Sequence, residues 1–266
     1  MAEVIKKMHG TGNNFVIIDS RTTNNLRRDY KQIAYQNNCD QVIVITNSNI
    51  ADCFMHIYNA NGSKAEICGN AARCVGYLIM LEKNTKYITI ELINGRILEC
   101  FKINNKSIKV NMGKPLFKWY EIPLSIRCNT LCLPIKIEML KNPIAVNIGN
   151  PHIVFFVDNI DKIPLQNLGP KLEKHALFPE GINISIAQIK KHGEINLKVW
   201  ERGTGITSSC GSASCAVFVA SILLKHLPTS STQTFINSQG GKILVQWVSN
   251  NIFITGDVGF LKKKNS

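Results

Sequence analysis

The 266-residue sequence lacks several features that mark whole classes of protein. Its first ten residues contain no apolar core of the kind that a secretory signal needs. Its longest apolar stretch, 216–224, is interrupted by Ser221 and is too short to span a bilayer. From these absences we expect a cytoplasmic protein that has no membrane partner.

Acidic residues are also scarce, since 18 Asp and Glu face 31 Lys and Arg and leave a net charge of +13. A strongly basic balance raises the question of a nucleic-acid partner. The basic residues are spread thinly, however, and their only run is Lys262–Lys264. No nucleic-acid-binding motif accompanies them, so we expect a solvated basic surface and no nucleic-acid partner.

The nine cysteines include no Cys-x-x-Cys pair. An odd count without a secretory signal argues against a disulfide framework, and the missing pairs argue against a structural zinc site. We therefore expect reduced cysteines, most of them buried as small apolar residues, and no bound metal. A dithiol redox protein is disfavoured for the same reason.

What the sequence does contain is an internal repeat. Segment 55–69 and segment 197–211 both alternate in hydrophobicity, continue through a polar loop and end in Cys-Gly, at an offset of 142. Gly95–Leu98 and Gly241–Leu244 also match, at an offset of 146. Several matches in the same order indicate a duplicated half-molecule.

The repeat predicts two halves of the same architecture, 1–115 and 116–258, with the tail 259–266 a candidate to pack on the first half. Each half combines short apolar strands with one helix, 71–83 or 213–225, that is apolar over most of its circumference. Such a helix is buried. We therefore predict an α/β fold (α+β mixed) of two pseudo-symmetric domains, each with a mixed or antiparallel sheet wrapped around a central buried helix.

Each of these helices begins next to a cysteine, Cys68 or Cys210, that is followed by glycine. Free N–H groups and the helix dipole favour a thiolate there and can also hold a carboxylate. A thiolate and a thiol on opposite faces of an α-carbon could invert it, one as base and the other as acid. The simpler interpretation, two buried cysteines in equivalent positions, stays open at this point.

Five motifs spread along the chain resemble the diaminopimelate epimerase family, which works without pyridoxal phosphate. They are Lys7–Phe15, Asn59–Ser63 followed by Cys68–Cys74, Gly149–His152, Glu201–Gly205 and Cys210–Ser212. The resemblance implies two α/β domains of mixed sheet around central helices, a homodimer, no cofactor, and a site for a small amino-acid substrate in the interdomain cleft. It also implies a place in lysine and peptidoglycan-precursor synthesis.

The resemblance carries over residue by residue. Cys68 and Cys210 fall on the acid–base pair of the family. The substrate-binding positions fall on Asn13, Gln41, Asn59, Gly69, Asn70, Asn150, Asn183, Glu201, Arg202, Gly211 and Ser212. Among these, Gly69–Asn70 and Gly211–Ser212 are expected to hold the reacting carboxylate. His152 is a candidate to line the cleft or to orient a polar neighbour, and as a lone histidine it could equally be structural.

Three residues depart from the family pattern: Asn14 in place of Asp, Ala71 in place of Gly, and Ile206 in place of Glu. Ala71 fits if it is already helical, whereas Ile206 puts the ordering of the second cysteine loop in question. The rival functions are a proline or hydroxyproline racemase, a phenazine-type isomerase, a thiol redox protein, a cysteine hydrolase and a non-catalytic binding protein. The first rival resembles a Cys-Gly-His pattern, whereas this chain has Cys68-Gly69-Asn70.

Overall fold

A computed structural model describes residues 4–23 and 26–261 of the chain. The chain divides into two compact units, Met1–Asn111 with Thr255–Ser266, and Met112–Ile254. The domain limits 1–115 and 116–258 stay a prediction. Residues 262–266 of the predicted tail, with the Lys262–Lys264 run, lie outside the described residues.

The first unit is a sheet with two helices. Its strands are β1 (Val4–Gly10), β2 (Asn13–Asp19), β3 (Gln41–Thr46), β4 (Cys53–Asn59), β5 (Lys64–Ala65), β6 (Tyr87–Glu91), β7 (Ile97–Lys102) and β8 (Ser107–Gly113), and its helices are α1 (Tyr30–Asn37) and α2 (Gly69–Glu82). The strand order is β1-β2-β3-β4-β6-β7-β8, and β5 pairs with β4. The last strand of the chain, β18 (Asn251–Phe260), pairs with β1 at Gly10↔Val258.

The burial pattern of the strands follows what covers them. β8 alternates strictly between buried and half-buried residues, as expected for a strand with one face on the core. Residues 42–46 of β3 are buried without alternation. The reason is that α1 covers the outer face, where Val42 and Val44 pack with Tyr30 and Ala34.

Helix α2 lies at the centre of this unit and contacts β1, β2, β6 and β7. It begins at Gly69, two residues before the predicted start, because Cys68 is the N-cap and its Sγ accepts the Ala71 N–H at 3.4 Å. Gly76 lets β7 approach closely, since a Cβ there would lie 2.9 Å from the Cβ of Cys100. Ala71 is helical and fully buried, so the departure from glycine is accommodated.

The second unit repeats this order of strands and helices after an additional two-stranded sheet at its start. Its strands are β9 (Lys136–Ile137), β10 (Leu140–Lys141), β11 (Ile144–Asn147), β12 (Pro151–Phe156), β13 (Asn183–Ile189), β14 (Ile195–Glu201), β15 (Gly205–Thr207), β16 (Gln233–Ser238) and β17 (Gly241–Val248). Its helices are α3 (Leu165–Glu173) and α4 (Gly211–Leu223), with short 3-10 helices at Ile160–Lys162 and Lys191–Gly193. The sheet order is β11-β12-β13-β14-β16-β17, and β15 pairs with β14.

The two units share their pairing pattern as well as their element order. In the first unit β2–β3 and β4–β6 are parallel, and in the second β12–β13 and β14–β16 are parallel. Helix α4 contacts β11, β12, β13, β14, β16 and β17, and residues 211–222 of it are all buried. The predicted fold class is confirmed: each half is a mixed sheet around a central buried helix.

The described residues contain no helix long and apolar enough to cross a membrane. All nine cysteines lie within the described residues as thiols outside any disulfide, and six of them are buried. Cys132 is exposed, while Cys68 and Cys128 are partly buried.

Candidate active site

The cysteine of the first half stands where the backbone turns from an extended conformation into helix α2. Cys68 has φ −146° and ψ 105°, and it is partly accessible to solvent. The first-turn N–H groups of a helix have no intrahelical partners, so those of Gly69 and Asn70 are suited to an anion. Gly10 of β1 passes close to this turn, since a Cβ on it would lie 3.2 Å from the Asn70 carbonyl oxygen.

Asn70 is held in a buried polar chain. Its Nδ2 donates to Asn13 Oδ1 at 2.6 Å, and its Oδ1 accepts from Arg73 Nη2 at 2.6 Å. The same Arg73 nitrogen donates to Thr11 Oγ1 at 2.8 Å. Because both ends of the Asn70 amide are engaged, its orientation is fixed, and Asn13 is brought to the start of α2.

Gln41 and Asn59 lie opposite each other on β3 and β4, where Gln41 Nε2 donates to Asn59 Oδ1 at 3.0 Å. Asn59 Nδ2 in turn donates to Ser63 Oγ. Gln41 is also in register with Phe15, two residues after Asn13 on β2. These contacts place Gln41, Asn59 and Asn13 on adjoining strand ends of the first unit.

The cysteine of the second half has the same backbone position with different side-chain neighbours. Cys210 is the N-cap of α4, with φ −139° and ψ 118°, and only 6% of it is exposed. Its Sγ lies 3.4 Å from Ser212 Oγ. Ser212 Oγ lies 3.0 Å from His152 Nε2, which is also 3.0 Å from Asn150 Oδ1.

His152 is fully buried, and its pKa is lowered to about 3 by burial, with a smaller contribution from the charge of Arg202. It is therefore neutral at physiological pH. Asn150 Oδ1 can only accept, which puts the imidazole proton on Nε2. His152 thus contacts two polar neighbours, the amide of Asn150 and the hydroxyl of Ser212.

Asn183 on β13 connects several polar residues of the second half. It lies next to His152 in the parallel ladder. Asn183 Oδ1 accepts the Arg202 N–H at 3.0 Å, and its Nδ2 donates to the Pro151 carbonyl at 2.7 Å. The Arg202 guanidinium donates to the Glu180 carbonyl oxygen. Glu201 accepts from the Thr207 hydroxyl, which links β14 to β15.

Trp200 and Glu173 support this hairpin from behind. Trp200 Nε1 donates to Glu173 Oε2 at 2.6 Å, while Glu173 Oε1 accepts the Gly203 N–H at 3.0 Å. The Trp200 ring lies against Gly169 of α3, where a Cβ would approach it to 2.3 Å. The departing residue Ile206 is 45% exposed on β15.

Within each unit the structure therefore groups the predicted residues. In the first unit Cys68, Gly69, Asn70 and Asn13 gather at the start of α2, with Gln41 and Asn59 on the strands beside it. In the second unit Asn150, His152, Cys210, Gly211 and Ser212 gather at the start of α4, with Asn183, Glu201 and Arg202 on the strands. The roles of these residues stay a prediction.

Sequence reasoning missed three residues of these sets: Arg73, Thr11 and Glu173. The signal for Arg73 was present, since a cation inside a helix predicted to be buried needs an explanation. Thr11 and Glu173 act through contacts between elements distant in sequence. The described residues contain no group of three or more His, Cys, Asp or Glu able to hold a metal ion.

Comparison with known proteins gives this chain its family. The model of the diaminopimelate epimerase family matches residues 5–118 and 144–261. A diaminopimelate epimerase of Wolbachia sp. subsp. Drosophila simulans (strain wRi) is 71% identical over 255 residues, 96% of each chain. One from Sphingopyxis alaskensis is 37% identical over 252 residues, 93% of this chain and 90% of its own.

Two solved structures share the fold at low identity. A phenazine biosynthesis protein of the PhzF family from Bacillus anthracis has a TM-score of 0.71 at 17% identity and covers 98% of both chains. A hydroxyproline epimerase from Agrobacterium vitis has a TM-score of 0.68 at 11% identity, covering 97% of this chain and 90% of its own. The family match and the 71% identity show that the chain belongs to the diaminopimelate epimerase family.

Proposed function

We propose that this protein interconverts LL-diaminopimelate and meso-diaminopimelate by exchanging one α-proton between two cysteines. The observation that carries the proposal is that Cys68 and Cys210 are the N-caps of the two equivalent central helices. Each half thus provides one thiol beside the first-turn backbone N–H groups of a buried helix.

The chemistry follows from these two environments. The cysteine in the thiolate form takes the α-proton, so the C–H bond breaks and an S–H bond forms. The electron pair moves into the substrate carboxylate, where helix N–H groups can stabilise the developing charge. The other cysteine then donates its proton to the opposite face of the carbon and becomes the thiolate. The two thiols supply both proton transfers, so the step requires no cofactor.

The second amino-acid head of the substrate accounts for the remaining polar residues. Arg202 suits its carboxylate, and Glu201 suits its ammonium group. Asn13, Gln41, Asn59, Asn150 and Asn183 can donate and accept without adding charge. The pair of Glu201 and Arg202 is the feature that favours a bis-amino acid over proline, because proline has no second amino-acid group.

We further propose that the protein works in the cytoplasm as a homodimer, in the synthesis of lysine and peptidoglycan precursor. Support for a dimer comes from an apolar surface on the first unit. Leu81 and Phe260 are each about half exposed, at 48% and 49%, and the Tyr77 ring lies 6.1 Å from that of Phe260. Light scattering of the wild type and of Phe260→Glu tests the dimer. We expect twice the monomer mass for the wild type and the monomer mass for the variant.

The activity is tested with reduced, purified protein and no added pyridoxal phosphate. LL-diaminopimelate should be converted to the meso form, while L-proline and trans-4-hydroxy-L-proline should be recovered unchanged. Conversion of the cyclic amino acids with none of diaminopimelate would replace this proposal by the rival racemase function. Conversion of none of them would contradict the epimerase function.

A further inference from the structure

One charged side chain near Cys68 is not accounted for by the proposed substrate contacts. Arg73, in α2, is fully buried and has the largest volume of the fully buried residues described. Two glycines make room for it. A Cβ on Gly256 of β18 would lie 1.8 Å from Arg73 Nη1, and one on Gly10 of β1 would lie 3.6 Å from Nη2.

The guanidinium is incompletely paired. Nη2 makes both of its hydrogen bonds, to Asn70 and Thr11, whereas Nε and Nη1 have no hydrogen-bond partner among the described residues. None of the ion pairs within the described ranges includes Arg73. A buried cation without a close anion is destabilising, so its presence calls for an anion supplied during function.

Three groups act electrostatically on Arg73. Burial lowers the pKa of Arg73, while Cys74, Cys68 and Asp257 oppose that shift. Cys74 donates its thiol proton to the His9 carbonyl, and burial raises its pKa to about 12, so it stays neutral. Asp257 is exposed, where solvent screens its charge. Cys68, the N-cap of the helix that contains Arg73, is the remaining one of the three groups that can become an anion beside the Asn70 turn.

In the second half, the helix position equivalent to Arg73 holds no cation. The residue 142 positions after Arg73 is Cys215, which is fully buried. Cys210 has a hydroxyl neighbour, Ser212, backed by the neutral His152. The charged residues of that set, Glu201 and Arg202, are bound to Thr207 and to the Glu180 backbone. A hydroxyl dipole stabilises an anion less than a buried unit charge does.

We propose that Arg73 is a positioning residue that fixes Asn70 and supplies the buried positive charge favouring the thiolate of Cys68, so that Cys68 rests as thiolate and Cys210 as thiol. The inference rests on the proposed function, in which one thiol of each kind is needed. It makes the two halves chemically unequal although their backbones are equivalent.

This difference between the cysteines determines which of them acts as the base when substrate first binds to the resting enzyme. Cys68 would accept the first α-proton and Cys210 would donate the second, leaving Cys68 protonated and Cys210 ionised. The free enzyme would then return to its resting state when Cys68 releases its proton to solvent and Cys210 takes one up. Arg73 would favour that return, because the charge it compensates is on Cys68.

The test measures how fast each cysteine is alkylated by iodoacetamide as a function of pH, with the modified peptides quantified by mass spectrometry. Since thiolate is the reactive form, the pH profile reports ionisation separately from accessibility. In the wild type the Cys68 profile should have its midpoint at lower pH than the Cys210 profile. In Arg73→Met the Cys68 rate at pH 7 should fall at least about tenfold, the equivalent of one pKa unit. Cys210 in the same sample should stay within about twofold.

Arg73→Lys is the matched control, because it keeps the charge and loses the planar double donor. Its Cys68 rate should stay within about threefold of wild type, while KM rises as Asn70 loses its fixed orientation. A merely structural Arg73 would instead reduce both alkylation and activity in proportion to the folded fraction. Exchanging an unpaired buried cation for an apolar residue of similar length should leave the thermal midpoint unchanged or higher.

An unchanged Cys68 profile in folded Arg73→Met would overturn the proposal. If that variant does not fold, the two alkylation profiles of the wild type provide the test. Coincident or reversed profiles of Cys68 and Cys210 would also overturn the proposal. Alkylation involves no diaminopimelate, so this result is independent of the turnover assay. Failure of the proposed function would appear as absent conversion with the alkylation difference intact.

Discussion

The two halves of the molecule keep the same backbone around each cysteine but differ in the side chains that face it. Both cysteines are N-caps in an extended conformation before a buried helix. In the first half the next turn is tied to a buried arginine, and in the second to a neutral histidine. The helix end is therefore shared by the two halves, whereas the residues that we propose to set the ionisation of each thiol differ between them.

The largest expected effect comes from removing either thiol. Cys68→Ala and Cys210→Ala should each lower kcat/KM by at least about a thousandfold, because each half supplies one of the two proton transfers. Cys132→Ala, which changes the exposed cysteine, should leave the rate within about twofold. Steady-state epimerisation measures all three, and substantial activity in Cys210→Ala would contradict the two-thiol mechanism.

His152 in the second half and Phe15 in the first occupy equivalent positions of the two sheets. His152 pairs with Asn183, and Phe15 pairs with Gln41. Because the pKa of His152 is lowered to about 3 by burial, the unfolded chain binds its proton first as pH falls. The stabilising effect is complete above about pH 6.5 and is lost toward pH 3. At pH 5 the loss is about 2 kcal/mol.

The measurement is urea unfolding of the wild type and His152→Phe at pH 7 and pH 5. The variant should lose less stability than the wild type between these two values. His192→Gln, at an exposed histidine, serves as the control and should follow the wild type. Equal losses in wild type and His152→Phe would show that His152 is not held neutral.

A smaller effect is expected from the removal of Glu173, which joins α3 to the β14–β15 hairpin. Glu173→Ala leaves the Trp200 indole N–H and the Gly203 N–H without their acceptor, at a cost of about 1–3 kcal/mol. We also expect KM to rise more than kcat falls, because Glu201 and Arg202 are carried by this hairpin. Glu180→Ala is the control, since Arg202 uses only the backbone carbonyl of Glu180. Unfolding and kinetics that match the control would contradict this role.

The smallest effect is expected at the departure from the family pattern on β15. Ile206 is 45% exposed, so Ile206→Glu should change stability by less than about 0.5 kcal/mol. Activity should change by less than about threefold, as measured by epimerisation. A tenfold gain in activity would mean that Ile206 limits the activity through the ordering of the second cysteine loop.

Sequence reasoning reached the central helices because their apolar faces and the Cys-Gly starts are local signals. It placed both helix starts two residues late, since the N-cap position depends on backbone conformation at the cysteine itself. Helix α3 has buried leucines at helical spacing, Leu165, Leu168 and Leu172, but Gly169 and Pro170 inside it disfavour a helix on sequence grounds. The two- and three-residue strands β5 and β15 are too short to show alternation.

The part of the candidate site closest to the cysteines was predictable, whereas its supporting contacts were not. Cys68, Asn70, Cys210 and Ser212 belong to local motifs. The slot for Arg73 is made by Gly256, which is far away in sequence and adjacent only after folding. The pairing of Glu173 with Trp200 likewise needs α3 to pack on β14.

The most direct test of the central claim follows the hydrogen itself. LL-diaminopimelate is incubated with the protein in deuterium oxide and sampled at low conversion, and both isomers are analysed by mass spectrometry. Two thiols acting on opposite faces predict one deuterium in the meso product and almost none in the remaining LL substrate. A meso product that keeps the original hydrogen, or deuterium accumulating equally in the unreacted substrate, would contradict the account.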